Sequence, residues 1–104
     1  MDTNQVNPYL SVIIPAYNEE RRITTTLLSV YEYLSRQSFT WEILVALDGA
    51  DDETLPRVQE VAGSRPNIYW LDRTENRGNG YTVREGMLAA KGQVRLFTDA
   101  DKST

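Results

Sequence analysis

The sequence contains no cysteine and no histidine. The first absence excludes disulfides and thiolate zinc sites. The second removes the commonest general base and every imidazole metal ligand. Acid–base or metal chemistry therefore falls to aspartate and glutamate. Cationic side chains are in the minority, eleven Lys and Arg against fifteen Asp and Glu, for a net charge of -4. No nucleic-acid partner is expected, because such partners select a basic patch. No apolar run approaches the length that spans a bilayer, and Met1-Asp2-Thr3-Asn4-Gln5 lacks the basic start of a signal peptide. A cytoplasmic chain is the expectation. Repeats, low-complexity tracts and linkers are also missing, so the 104 residues are read as one domain.

What is present alternates between two periodicities. Residues 1–9 are a polar lead-in. Leu10-Ser11-Val12-Ile13-Ile14 is a β-branched apolar run, predicted as a buried strand that Pro15 stops. Asn18 is a good N-cap with Glu19 and Glu20 in the first turn, where the helix dipole favours anions. Ile23, Leu27, Val30, Tyr31 and Leu34 then mark one face of an amphipathic helix. Trp41 to Leu47 is a second strand, ended by the turn signal Asp48-Gly49. Asp51 and Asp52 cap a short helix carrying Leu55, Val58 and Ala62, with Pro56 in its first turn and Gly63 and Pro66 at its end. Ile68 to Leu71 is a third strand. The polar loop Asn76-Arg77-Gly78-Asn79-Gly80 leads into a third helix with Val83, Met87 and Ala90, closed by Gly92, and Gln93 to Thr98 is the fourth strand.

The order β-α-β-α-β-α-β, with crossover-length connections, predicts an α/β fold built on an open, mostly parallel sheet. Ligands of such sheets bind outside the carboxyl ends of the strands. Pro15-Tyr17-Asn18, Asp48, Asn76 to Gly80 and the pair Asp99/Asp101 all fall there, on one rim.

Asp99-Ala100-Asp101 places two carboxylates at i and i+2, on the same side of an extended chain. Two hard oxygen ligands suit Mg²⁺, which is commonly held by one or two carboxylates and substrate phosphates. Asp101 is the better candidate ligand; Asp99 either shares the metal or touches a ribose hydroxyl. The plainer alternative is solvated loop acid, with Asp101 capping a following helix. The Tyr17 ring offers a flat face for a nucleobase. Asp48 is first a turn residue, and equally an acceptor for a base imide N–H or a ribose hydroxyl. Arg77, Gly78, Gly80 and Arg84 sit where a glycine loop meets a helix start, a place hospitable to anions; Arg84 fits an exposed helix arginine as well. Gly78-Asn79-Gly80-Tyr81-Thr82-Val83 fails the dinucleotide fingerprint, since Val83 replaces the third glycine and the loop follows the third strand rather than the first. Tyr31, Tyr33, Trp41, Tyr69 and Trp70 are read as core or edge packing.

Together, Ser11 to Glu19, Trp41 to Thr54, Asn76 to Gly92 and Phe97-Thr98-Asp99-Ala100-Asp101 resemble the N-terminal half of a family 2 glycosyltransferase of the GT-A, Rossmann-like fold. The Asn-Arg-Gly…Val-Arg-Glu-Gly-Met block is most similar to the polyprenyl-phosphate (dolichyl-phosphate) mannosyl- and glucosyltransferases. The resemblance implies a UDP- or GDP-linked sugar donor. Pro15, Tyr17, Glu19 and Asp48 would line the nucleoside pocket, with Asp48 on the base. Asp99 and Asp101 would be the D-x-D that binds Mg²⁺ or Mn²⁺ across the diphosphate. The acceptor would be a glycan hydroxyl or a lipid phosphate. Relatives often carry Asn-x-Gly-Lys-Gly, and here Asn79 stands in the lysine's place, leaving Arg77 or Arg84 as the cation near the phosphates.

The family's domain runs for at least as many residues again. Residues 10–104 are therefore expected to be a nucleotide-sugar-binding half, truncated after the D-x-D and without turnover alone. The general base would lie outside it, and the full-length protein could sit at the cytoplasmic face of a membrane. An exposed fourth strand would drive self-association. The competing readings are a non-catalytic nucleotide-binding or assembly module and, further off, a nucleotidyltransferase. The latter would want a basic glycine-rich loop where Pro15 to Glu20 stands.

Overall fold

The computed structural model describes residues 7–48, 52–73 and 79–98. Seven elements follow the expected order: β1 (Leu10–Ala16), α1 (Ile23–Ser35), β2 (Trp41–Asp48), α2 (Thr54–Ser64), β3 (Ile68–Arg73), α3 (Asn79–Ala89) and β4 (Val94–Phe97). The four strands form one parallel sheet in the spatial order β3-β2-β1-β4. The chain thus winds from β1 outward through β2 to β3, then crosses back to place β4 on the far side of β1. That reversal is a topological switch point, and it lies between β1 and β4.

Both faces of the two central strands, β1 and β2, are covered, as their near-continuous apolar runs require. Leu10, Val12, Ile14 and Ala16 of β1 and Ile43, Val45 and Leu47 of β2 face α1 and α2, packing with Ile23, Leu27, Leu34, Val58 and Val61. The alternate set, Ile13, Leu44 and Ala46, faces α3 with Met87 and Ala90. Thr82, Gly86 and Ala90 recur every four residues on the sheet side of α3, and all three are buried.

Several boundaries differ from expectation. Pro15 does not stop β1, which continues to Ala16. Ile13 accepts a hydrogen bond from the Thr98 amide, so the peptide groups of Ile13, and of Pro15 two residues on, turn toward β4. The β1–β4 register ends at Ile13↔Phe97, so the missing proline N–H falls beyond the paired stretch.

Asn18 is not the N-cap of α1, and Glu19 and Glu20 are not in its first turn. Asn18 adopts a left-handed backbone with φ 53, and α1 starts at Ile23. The amides of Glu19 and Glu20 are taken by side chains before α2, while the Glu19 carbonyl accepts from the Arg22 and Ile23 amides. Tertiary hydrogen bonds thus outcompete an early helical start. Gly80, expected in a loop, lies within α3. Tyr31 and Trp41 pack edge-to-face, with ring centroids 5.1 Å apart, but Tyr33 and Tyr69 are more than half exposed and Trp70 is exposed too.

Candidate functional site

The register brings the ends of β1 and β2 together. Ala16 pairs with Leu47, so Tyr17 and Asp48 are the next residue of each adjacent chain. Asp48 closes β2 and is 4% exposed. By strand alternation it follows Leu44 and Ala46 onto the α3 face of the sheet. Tyr17 lies just past β1 with its ring 45% exposed, open to a ligand. Pro15 is buried in the last turn of pleat before it. The register thus puts Tyr17, exposed, and Asp48, buried, on neighbouring chains at the carboxyl rim. Burial of Asp48 in low dielectric favours a partner that donates hydrogen bonds, the chemistry of a base imide or a ribose hydroxyl.

Glu19 has a more structural setting than the sequence suggested. Its amide donates to Thr54 Oγ1 at 2.8 Å, and its carboxylate lies 3.5 Å from Arg22 in a partly exposed ion pair. Arg84 stands exposed on α3, two residues from both Thr82 and Gly86. That is about half a turn around the helix from the face against the sheet. Arg77, Gly78, Asp99 and Asp101 lie outside the described residues. Their strands do not: β4 pairs with β1, and it leads directly through Thr98 to Asp99. Among the described residues, no group of three or more acidic side chains could hold a metal ion. Asp99 and Asp101, the carboxylates singled out for a divalent cation, offer the hard oxygen ligands that suit Mg²⁺ or Mn²⁺.

Sequence reasoning read Asp51 and Asp52 as helix caps, but the N-cap of α2 is Glu53, without a side-chain capping bond; Asp52 stands one residue earlier, where Oδ1 accepts from the Thr54 amide at 2.9 Å. It missed that Asp52 and Thr54 also bind the loop after β1. Burial would raise the Asp52 carboxyl. Hydrogen bonds from the Thr54 hydroxyl and amide and from the Glu20 amide outweigh it and hold the group below its ordinary value. The spacing Asp-x-Thr before a helix carried the capping signal but could not name a partner 32 residues away. Beside this pair, a polar cleft of about 430 Å³ is lined by Asn18, Glu19, Glu20, Arg21, Arg22 and Asp52. It borders the α1 and α2 starts and includes neither Tyr17 nor Asp48.

Fold and rim together place the chain among the doubly wound α/β proteins that open a ligand crevice at the carboxyl ends of their strands. The family model for glycosyl transferase family 2 matches residues 11–103, and the chain belongs to that family. It is 43% identical over 101 residues to dolichyl-phosphate beta-glucosyltransferase ALG5D of Trichomonas vaginalis, covering 92% of this chain and 31% of that protein. It is 40% identical over 102 residues to the dolichyl-phosphate beta-glucosyltransferase of Drosophila melanogaster, covering 91% of this chain and 31% of the relative. The chain thus spans about a third of the length of these relatives. Among solved structures it is similar to mannosyltransferase PcManGT from Pyrobaculum calidifontis in complex with GDP-Man and Mn²⁺, with a TM-score of 0.79 and 28% identity over 93% of this chain and 28% of that one. It is also similar to S. aureus TarS 1-349 in complex with UDP, with a TM-score of 0.74 and 31% identity over 89% of this chain and 27% of that one.

Proposed function

We propose that this chain is the donor-binding part of a metal-dependent glycosyltransferase that takes a UDP- or GDP-linked sugar. The observation that carries this reading is the sheet order. The switch point lies between β1 and β4, so the carboxyl ends of these two strands border the place where such sheets open a crevice, with Asp48 at the end of the next strand over. Tyr17 would stack on the base, with Pro15 and Glu19 shaping its loop. Asp48 would accept hydrogen bonds from the base or ribose. Arg77, Arg84 and the Gly78 backbone would face the diphosphate. Asp99 and Asp101 would hold Mg²⁺ or Mn²⁺, which supplies Lewis-acid stabilisation of the leaving nucleotide diphosphate. A neighbour's complex with Mn²⁺ and GDP-Man favours this arrangement.

The names of the relatives favour glucose as the sugar and dolichyl phosphate as the acceptor. A phosphate acceptor is already ionised and needs no carboxylate base. A lipid acceptor also favours action at a membrane face. Among the described residues no helix is long and apolar enough to cross a membrane, so attachment would rest on other parts of the protein or on the acceptor itself.

Calorimetry with UDP, GDP and GTP, with and without Mn²⁺, tests the proposal. The expected result is nucleoside diphosphate binding that requires metal and is lost in Asp101→Asn. A preference for triphosphate would point instead to a nucleotidyltransferase, and no binding at all to an assembly module.

A further inference from the structure

The segments that follow β1 and β2 hold each other by reciprocal hydrogen bonds. The Glu19 amide donates to Thr54 Oγ1 at 2.8 Å, and the Glu20 amide donates to Asp52 Oδ2 at 3.4 Å. In return the Glu53 amide donates to Glu20 Oε1 at 2.8 Å. The Thr54 hydroxyl donates its own proton to Asp52 Oδ1, so its lone pairs are turned to the Glu19 amide. Thr54 is fully buried. The bonds from the Thr54 amide and hydroxyl to Asp52 Oδ1 are local, two residues apart just before and at the start of α2, whose N-cap, Glu53, makes no side-chain capping bond. The bonds of Glu19 to Thr54, Glu20 to Asp52 and Glu53 to Glu20 join two segments more than thirty residues apart in sequence.

We propose that Asp52, Thr54 and Glu20 form a clasp that sets the gap between Tyr17 and Asp48, making them positioning residues for the nucleoside pocket. The inference rests on the nucleotide-binding reading above. Tyr17 and Asn18 form a span of two residues tied at both ends, by Ala16 in the ladder with Leu47 and by Glu19 on Thr54. Asp48 is anchored by its own pairing with Arg73, and its chain returns to the clasp at Asp52. The two sides of the pocket are therefore fastened to one buried hydroxyl. Removing that hydroxyl leaves the Glu19 amide and the Asp52 carboxylate short of a partner and frees the Tyr17 loop from the Asp48 strand. Side chains that act on a site through such a connection change affinity by factors of about 2 to 30.

The test compares the unaltered chain with Thr54→Val and Thr54→Ser, by amide NMR spectra, hydrogen exchange and titration with UDP and GDP in Mn²⁺. Valine keeps the shape and loses the hydroxyl; serine keeps the hydroxyl. In Thr54→Val the Glu19 and Glu20 amides are expected to exchange faster, the Tyr17 and Asp48 resonances to move, and nucleotide affinity to fall about tenfold. Thr54→Ser should restore all three. If the Glu19 and Glu20 amides lose protection while Tyr17, Asp48 and nucleotide affinity are unchanged, Thr54 holds only the local backbone of that loop and the proposal is wrong. If the unaltered chain binds neither nucleotide, the functional reading fails, and the Tyr17 and Asp48 resonances still decide the clasp. Should Thr54→Val not fold, Glu20→Ala breaks the return bond to Glu53 and leaves the Asp52–Thr54 bonds intact. The same resonances are then expected to move, and their constancy would overturn the proposal.

Discussion

At the scale of single residues, two glycines hold α3 against the sheet. A Cβ on Gly86 would lie 2.6 Å from Ile13 Cγ2 and 3.6 Å from the Ala46 Cβ. Ile13 is fully buried and β-branched, so it has one stiff rotamer and no room to yield. Gly86 therefore gives the close helix–sheet approach that Val83, in the place of the fingerprint's third glycine, cannot. Gly86→Ala gains about 1 kcal/mol in helix propensity but overpacks this contact at a cost of about 1–3 kcal/mol. A net loss of stability of up to about 2 kcal/mol is expected in urea unfolding, and a higher midpoint would refute the packing argument. At Gly92 a Cβ would meet the Ser11 amide nitrogen and Oγ, both at 2.6 Å. The Gly92 amide instead donates to Ser11 Oγ, whose proton goes to the buried Glu42 carboxylate, which also accepts from the Lys91 amide. The sequence showed Glu42 as a polar residue inside an apolar strand. Its partners come from β1 and the end of α3, so no local pattern could have shown why it is there.

At the scale of elements, the apolar periodicity of α1 and the β-branched runs of β1 and β2 were legible because each buries the face its own period defines. The start of α1 was not, since Glu19 and Glu20 bond to residues from after β2. β4 is the exposed element. It is an edge strand in the described sheet, and all four of its residues are exposed, Val94, Leu96 and Phe97 among them. Arg95 is turned back to accept duty at α3, donating to the Met87 and Gly92 carbonyls at 2.8 and 3.0 Å. Leu96 borders an apolar groove of about 280 Å³ with Leu10, Val12, Val30, Tyr33 and Leu34. An open apolar edge of this kind invites strand pairing, and this chain is expected to self-associate through β4 at micromolar concentration. Leu96→Lys should shift sedimentation toward monomer, because charge on an edge strand blocks such pairing. A monomer for the unaltered chain would contradict the expectation.

For the whole molecule, ligand and fold are linked. A nucleotide that binds only the folded state, at a hundred times its dissociation constant, adds about 2.7 kcal/mol of stability. For a domain of this size the melting temperature should then rise by about 10 °C or more with UDP or GDP and Mn²⁺, and EDTA should reverse the rise. A shift that survives EDTA would remove the metal from the proposed site. The identities and order of the seven elements were determined by sequence alone, because helical and strand periods are local properties and each burial face repeats within its own segment. Which strand ends share a crevice was decided only by the tertiary structure. The return of β4 to the far side of β1, the pairing of Ala16 with Leu47 and the clasp from Glu19 and Glu20 to Thr54 and Asp52 all join residues about thirty or more positions apart. Contacts of that range depend on how layers pack, and no periodicity in one segment records them.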